Sequence, residues 1–218
     1  MSLPKLLCLH GEGSSAAILR VQLRLLLHHL APRFDFVFVD APHPCPAGVD
    51  IADFFEGPYR SWMAPGDADN ARTWAFLDAI VAERGPFVGL VAFSQGCRVA
   101  TGLLQRQALR EETAEGGFRA ALLIGGTTPP LPLLAGQGEA EGEAAAGGAL
   151  VRIPVPTVHV HGELDSWRHA SKELLRTYYA ASPTRLLTHS GGHHFPRSPA
   201  DGKRVADMFE QAFFQSSM

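Results

Sequence analysis

Six short apolar runs punctuate the chain, and each has the length of one β-strand. They are KLLCLH (5–10), DFVFVD (35–40), FVGLVAF (87–93), RAALLIG (119–125), PTVHVH (156–161) and TRLLTH (184–189). Most of these runs are almost continuously apolar, which is typical of strands that are covered on both faces. The pattern therefore predicts a central sheet of mostly parallel strands.

The segments between these runs have helical periodicity. Residues 16–30 carry leucines spaced to share one face of a helix, and residues 70–84 repeat such a stripe before a stop at Gly85 and Pro86. Further helices are predicted over 95–110, 166–180 and 201–214. Strands that alternate with helices indicate an α/β fold, with helices on both faces of the sheet.

Two segments interrupt this alternation. Residues 41–69 are rich in Pro and Gly and contain several aromatic residues, and residues 127–152 include a low-complexity stretch at 135–149. That stretch is predicted to be a flexible surface loop. Both segments follow a strand, so both are expected at the carboxyl edge of the sheet, where open α/β folds bind ligands. The length of 218 residues fits a single domain over 1–218.

Charge and cysteine content exclude several classes of function. The net charge is −3 and no polybasic run occurs, so no nucleic-acid partner is expected. The ten histidines are scattered and form no metal-binding pattern, and no cofactor is implied. Three cysteines are too few for a disulfide framework. Cys8 and Cys97 have apolar or small neighbours, which predicts buried free thiols and a reducing compartment.

The first ten residues, MSLPKLLCLH, do not have the pattern of a signal peptide. No stretch reaches the roughly 20 apolar residues that a membrane span requires. The expected location is therefore the cytoplasm, with no membrane partner.

A serine at a strand-to-helix corner is the first candidate for chemistry. The sequence Ala92-Phe93-Ser94-Gln95-Gly96 departs from the nucleophile pattern G-x-S-x-G only by alanine at the first position. Small residues on both sides of the serine allow a sharp turn that projects its hydroxyl. By itself the motif is weak, because such turns also occur where a strand simply meets a helix.

Two further residue types follow in the order that an α/β-hydrolase requires, which is serine, acid and then histidine. Asp165 comes after the fifth apolar run, and His193 and His194 come after the sixth, in a glycine-rich loop. Asp165 could instead cap the following helix, and the histidines could lie in an ordinary surface loop. The common order and the strand-end positions favour convergence on Ser94.

Stabilisation of an oxyanion would require two backbone N–H groups. The residue after the nucleophile, Gln95, would supply one, and Glu12 in the loop after the first strand would supply the other. The alternative that GEGSS binds phosphate is disfavoured, because it lacks both the G-x-G-x-x-G spacing and the lysine of a P-loop.

Six motifs together resemble the fungal-type FSH group, a family of serine hydrolases with the α/β-hydrolase fold. They are CLHGEGSSAAIL, FVFVDAPHPCPA, GPYRSW, AFSQGCRVA, HVHGELDSW and SGGHHFP, and they run from Cys8 to Pro196. The resemblance implies Ser94 as nucleophile and Asp165 as acid. It implies His193 as base, because the family pattern G-G-H-x-x-P places that histidine directly after Gly192. Glu12 and Ala92 are departures that bear on substrate fit.

The resemblance also implies an esterase, or a thioesterase that releases a polyketide or fatty acyl chain from the carrier domain of a polyketide synthase. An acyltransferase and a non-catalytic binding protein on the same fold remain as alternatives. His10, Tyr59 and Trp62 are expected to contact the acyl substrate, with Phe54 and Phe55 completing an apolar wall. For the aromatic residues of 41–69 the competing interpretation is that they are core residues of a long connection.

Overall fold

The computed structural model describes residues 2–64, 70–110, 116–134, 151–179 and 183–215. Its main sheet contains six parallel strands: β1 (Lys5–Leu9), β2 (Asp35–Val39), β5 (Phe87–Phe93), β6 (Ala120–Ile124), β7 (Thr157–Gly162) and β8 (Thr184–His189). The order across the sheet is β2-β1-β5-β6-β7-β8. All six predicted strands are present within a residue or two of their expected bounds.

The helices are α1 (Ala16–Gln22), α2 (Arg24–Leu30), α3 (Ala71–Arg84), α4 (Gln95–Leu109), α5 (Arg168–Tyr178) and α6 (Pro199–Gln215). The prediction of one helix over 16–30 was wrong. Leu23 leaves the helical conformation, with φ −92° and ψ 12°, and separates α1 from α2. Hydrogen bonds from Leu23 N to Leu19 O and from Leu27 N to Leu23 O continue across the break. The leucine stripe therefore stays on the buried face although the helix is interrupted.

Alternate residues of each strand face two separate apolar layers. On β1, Leu7 and Leu9 pack with residues of α3, α4 and α5. Leu6 and Cys8 pack with residues of α1, α2 and α6 on the opposite face. Helices therefore cover both faces of a parallel sheet, which confirms the predicted fold class.

This topology determines where a site can form. All six strands are parallel, so the segments that follow β1, β5, β7 and β8 emerge at one edge of the sheet. The chain winds from β1 outward to β2 and from β5 outward to β8 in the other direction, so the strand order reverses between β1 and β5. Ligands of open α/β sheets bind at such a reversal. The loop after β1 and the corner after β5 flank it.

The segment after residue 41 packs against the loop that follows β1. It contains a two-stranded antiparallel pair, β3 (His43–Pro44) with β4 (Arg60–Ser61). Arg60 accepts a hydrogen bond from Gly13 N (3.1 Å) and donates one to Ser14 O (2.8 Å). The long connection therefore supports the β1 loop from outside.

Three further expectations concerned the cysteines, the loop over 135–149 and membrane-spanning helices. Cys8 and Cys97 are buried free thiols, as predicted. The predicted loop over 135–149 lies outside the described residues. Within the described ranges, no helix combines the length and the apolar character that crossing a bilayer needs.

Candidate active site

Ser94 lies at a strained corner between β5 and α4. Its backbone has φ 52° and ψ −118°, which is unusual for a residue other than glycine. Hydrogen bonds from Ser94 N to Ile124 O and from Cys97 N to Ser94 O, both 2.9 Å, hold the turn. Strain of this kind persists only where the surrounding structure enforces it, and it is concentrated at functional sites.

The glycine two residues after the serine, Gly96, is required for a steric reason. A Cβ atom added to Gly96 would lie 2.2 Å from the carbonyl oxygen of Leu9. The helix that starts at the corner therefore approaches the end of β1 more closely than any side chain would allow. Ala92, on the other side of Ser94, is fully buried in β5.

The structure brings Ser94, Asp165 and His193 into one hydrogen-bonded chain. The Oγ of Ser94 lies 2.8 Å from Nε2 of His193, and Nδ1 of the same ring lies 2.8 Å from Oδ2 of Asp165. His194 points elsewhere, with its Nδ1 2.7 Å from the carbonyl oxygen of Phe195. Of the two neighbouring histidines, the one selected by resemblance is therefore the one beside the serine.

The two carboxylate oxygens of Asp165 contact different partners. Oδ2 faces His193, and Oδ1 accepts a hydrogen bond from the backbone N–H of Trp167 (2.7 Å), just before α5 begins. The carboxylate is almost fully buried. Asp165 therefore faces the histidine with one oxygen and closes a short turn before α5 with the other, while the N-cap of α5 is Trp167, which has no side-chain cap.

Close packing limits the positions that the histidine ring can take. The Phe93 ring lies against it, with ring centroids 4.9 Å apart. A Cβ on Gly125, whose φ is +54°, would come within 3.0 Å of the His193 ring. About a quarter of the side chain stays exposed, so the ring is oriented but remains accessible to a ligand.

Gln95 and Glu12, whose N–H groups are the expected oxyanion donors, line the same opening as Ser94. Gln95 is the first residue of α4, and the first N–H groups of a helix have no partner within it. Neither the N–H of Gln95 nor that of Glu12 donates a hydrogen bond to any described residue. Gly11, between β1 and Glu12, sits so close to the corner that a Cβ there would lie 3.2 Å from Cβ of Ser94.

The side chain of Gln95 has a role that the sequence analysis did not identify. Its Oε1 accepts a hydrogen bond from the backbone N–H of Trp62 (2.8 Å), and its Nε2 donates one to Oγ of Ser61 (3.1 Å). The indole N–H of Trp62 in turn donates to the carbonyl oxygen of His10 (2.8 Å). Gln95 thus ties the corner to the long connection and to the end of β1, a link that no local pattern signals.

The three residues that were expected to contact substrate are engaged in contacts within the protein instead. Trp62 and His10 are completely buried, and the imidazole of His10 accepts a hydrogen bond from Ala41 N (3.0 Å). Tyr59 donates its hydroxyl to Phe55 O (2.6 Å). None of the three lines the opening at Ser94. For Tyr59 and Trp62 the interpretation as packing residues agrees with these contacts, because backbone oxygens accept their polar hydrogens, whereas Phe54 of the same segment is exposed.

A groove of about 510 Å³ opens at Ser94, and we call it the serine groove. Residues 11–14, 45–49 and 127–128 line it, together with Arg98 and Trp167. Such a volume is within the range of small-molecule sites. Desolvation lowers the pKa of Arg98, and the charge of Glu12 opposes that shift.

Burial also lowers the pKa of other histidines near this edge of the sheet. Desolvation lowers the pKa of His161 to about 4, although the charge of Asp165 acts in the opposite direction. It lowers the pKa of His159 to about 3 and that of His10 in the same direction. These groups are therefore neutral at pH 7. Among the described residues, no group of three or more His, Cys, Asp or Glu side chains could hold a metal ion.

Comparison with known proteins identifies the family of this chain. The family model described as Serine hydrolase (FSH1) matches residues 1–204. A probable esterase of Aspergillus terreus is 34% identical over 94% of this chain and 87% of its own length. Thioesterase FSL2 of Gibberella zeae is 33% identical over 94% of this chain and 90% of its own length.

Solved structures share the fold at lower sequence identity. Acyl-protein thioesterase 2 of Zea mays superposes with a TM-score of 0.61 and 17% identity, over 98% of this chain and 95% of that chain. A carboxylesterase from Mesorhizobium loti superposes with a TM-score of 0.57 and 17% identity, over 95% and 88%. These similarities support an α/β-hydrolase fold. Because the family model and the relatives span almost the whole chain, the protein belongs to the FSH1 family of serine hydrolases.

Proposed function

We propose that this protein hydrolyses an acyl ester or thioester through an acyl-enzyme formed on Ser94. The observation that supports the proposal is the continuous chain of two 2.8 Å contacts from Ser94 through His193 to buried Asp165. A serine hydroxyl is a weak nucleophile by itself and requires an adjacent base. With its proton on Nδ1 and donated to Asp165, His193 presents the Nε2 lone pair to the serine.

The chemical steps follow from these contacts. His193 removes the proton of Ser94 as Oγ attacks the acyl carbon, and then donates that proton to the departing oxygen or sulfur. Asp165 holds the ring in the required tautomer and stabilises its charged form. A water molecule, activated by the same nitrogen, then attacks the acyl-enzyme and releases the acid.

The N–H groups of Gln95 and Glu12 are proposed to stabilise the oxyanion. They are available because no described residue accepts a hydrogen bond from either. Loss of one such donor costs roughly 3–4 kcal/mol of transition-state stabilisation in comparable sites. The Gln95 side chain, through Ser61 and Trp62, keeps the two donor-bearing segments together.

For the substrate we propose an acyl chain carried as a thioester by the carrier domain of a polyketide synthase in the cytoplasm. The thioesterase FSL2 among the relatives and the resemblance stated above support this choice. Small carboxylic esters are the second candidate, which the relatives named esterases favour. Both substrates pass through the same tetrahedral intermediate, so the triad itself serves either one.

A fluorophosphonate probe tests the catalytic proposal directly. We expect one covalent adduct, mapped to Ser94 by mass spectrometry, and none in Ser94→Ala. Ser190→Ala removes an exposed serine from the neighbouring histidine loop and serves as the matched control, which should be labelled like the wild type. If the folded wild-type protein remains unlabelled, the proposal is wrong and a binding function gains support.

Turnover separates the two substrate classes and the transferase alternative. Acyl thioesters and p-nitrophenyl esters of the same acid are compared, and free acid is quantified alongside acyl products formed with added alcohols. The thioesterase proposal predicts higher kcat/KM on the thioester and release of free acid. Equal turnover by Ser94→Ala and wild type would show that another group performs the reaction.

A further inference from the structure

A second cavity, of about 670 Å³, adjoins the serine groove, and we call it the side cavity. Both spaces share walls formed by Gln22, Val49, Ile51, Trp167 and His193. The side cavity therefore continues the groove and is not an isolated depression. Its volume is in the range of cavities that bind small molecules.

Exposed apolar side chains are concentrated around this cavity. Nine large hydrophobic side chains are exposed among the described residues, and five of them line it: Val21, Val49, Phe54, Leu164 and Trp167. Their exposed fractions run from 50% to 92%. Scattered exposed apolar residues need no explanation, but a cluster around a concave surface indicates a binding site. Arg24, Asp50 and Arg197 add charge to the lining.

The position of the cavity relative to the triad indicates which part of a substrate it receives. Its walls include His193, but they do not include Ser94, Gln95 or Glu12. It therefore opens on the side of the base and away from the oxyanion donors. In acyl transfer the histidine must protonate the departing atom, so the leaving group has to lie on the histidine side.

We propose that the side cavity binds the leaving group of an ester substrate, as an apolar alcohol. This inference rests on the proposed function with its second candidate substrate, the small carboxylic ester, because the thiol that a carrier domain releases is borne on a polar arm. As the Ser94 Oγ–carbon bond forms, the bond from that carbon to the leaving oxygen breaks. The serine proton passes through His193 Nε2 to the departing oxygen, which leaves as a neutral alcohol. The acyl part occupies the serine groove, beside residues 11–13 and Arg98.

Two series of esters distinguish this proposal from its opposite. Alkyl acetates from methyl to octyl vary only the leaving group, and methyl alkanoates from acetate to octanoate vary only the acyl part. Acid release is followed in a pH-stat at substrate concentrations below micelle formation. In the wild type, kcat/KM in the acetate series should rise about fourfold for each methylene that becomes buried.

Substitutions in the cavity should act on one series only. Phe54→Ser and Leu164→Ser are expected to lower the ratio of kcat/KM for octyl acetate to that for methyl acetate by about tenfold or more. The ratio of methyl octanoate to methyl acetate should not change. Phe214→Ser and Leu186→Ser are matched controls, because they remove exposed apolar side chains that lie outside both cavities.

Each remaining result contradicts the proposal in a recognisable way. If the variants change the methyl alkanoate ratio and leave the alkyl acetate ratio intact, the side cavity is an acyl site. If neither ratio differs from the controls, the cavity does not bind substrate. If Ser94 is not labelled by fluorophosphonate and no ester is hydrolysed, the proposed function itself fails and this inference fails with it.

Discussion

Replacement of Asp165 by asparagine separates its structural role from its proposed catalytic role. In the wild type, Oδ1 accepts the N–H of Trp167 and Oδ2 faces Nδ1 of His193. Asparagine keeps one oxygen and replaces the other with an NH₂ group. Asparagine accepts a backbone N–H two residues on about as readily as aspartate, so its oxygen is expected to stay on the N–H of Trp167. The NH₂ group then points at the imidazole.

This arrangement reverses the tautomer of the histidine. An NH₂ group donates to Nδ1, so the ring proton moves to Nε2 and is directed at Ser94, where a proton acceptor is required. In a triad of this kind such a change lowers kcat by about 10⁴-fold, which corresponds to about 5 kcal/mol of transition-state stabilisation. The free energy of unfolding should change by less than about 1 kcal/mol, because the hydrogen bond from Trp167 and the contact with the ring both survive.

The assay compares Asp165→Asn with Asp165→Ala. Both should lose turnover on a p-nitrophenyl ester, but only the alanine variant should lose about 1–2 kcal/mol of stability in urea denaturation, since it also leaves the N–H of Trp167 without its acceptor. Retention of kcat within tenfold of wild type by Asp165→Asn would refute the reasoning. It would mean that the carboxylate serves the helix and does not orient the histidine.

Three further predictions test the same site and its surroundings. His193→Ala should abolish turnover while His194→Ala loses less than about tenfold in kcat, and the reverse result would assign the base to His194. Gly96→Ala should cost about 1–3 kcal/mol in urea denaturation and lower kcat, because its Cβ would meet a strand carbonyl oxygen at 2.2 Å; Gly116→Ala, which meets nothing within 4 Å, is the control. His159, with a pKa near 3 against 6.5 when unfolded, takes up a proton only in the unfolded chain as pH falls below 6.5. Stability should therefore decline by up to about 1.4 kcal/mol per pH unit from this residue between pH 6 and 4, and His159→Phe should show a shallower decline in urea titrations at stepped pH.

Local sequence patterns determined the strands and most of the helices of this protein. Continuous apolar runs predict strands that are buried on both faces, and the structure places all six in one parallel sheet. The same periodicity did not predict the break at Leu23, because the leucine stripe continues on the same face through the interruption. A hydrophobic pattern records which side chains are buried, and it is insensitive to a local change in the backbone.

The sequence predicted the parts of the candidate site that follow from chain order and from positions just after strands. Ser94, Asp165 and His193 each follow a strand of one parallel sheet, so their convergence was expected before any distance was known. The prediction that His10, Tyr59 and Trp62 contact substrate does not agree with their positions, since none of them lines the serine groove. An aromatic residue in a long connection can pack inward or outward, and its sequence neighbours do not decide which.

What the sequence determined alone was the identity of the candidate reacting groups and the edge of the sheet on which they meet. The tertiary structure decided which neighbouring histidine faces Ser94, how Asp165 divides its two oxygens, and how Gln95 connects the corner to Trp62. It also decided that five exposed apolar side chains from distant segments surround one cavity. These features depend on contacts between residues far apart in the chain, and only the packed arrangement of the elements specifies such contacts.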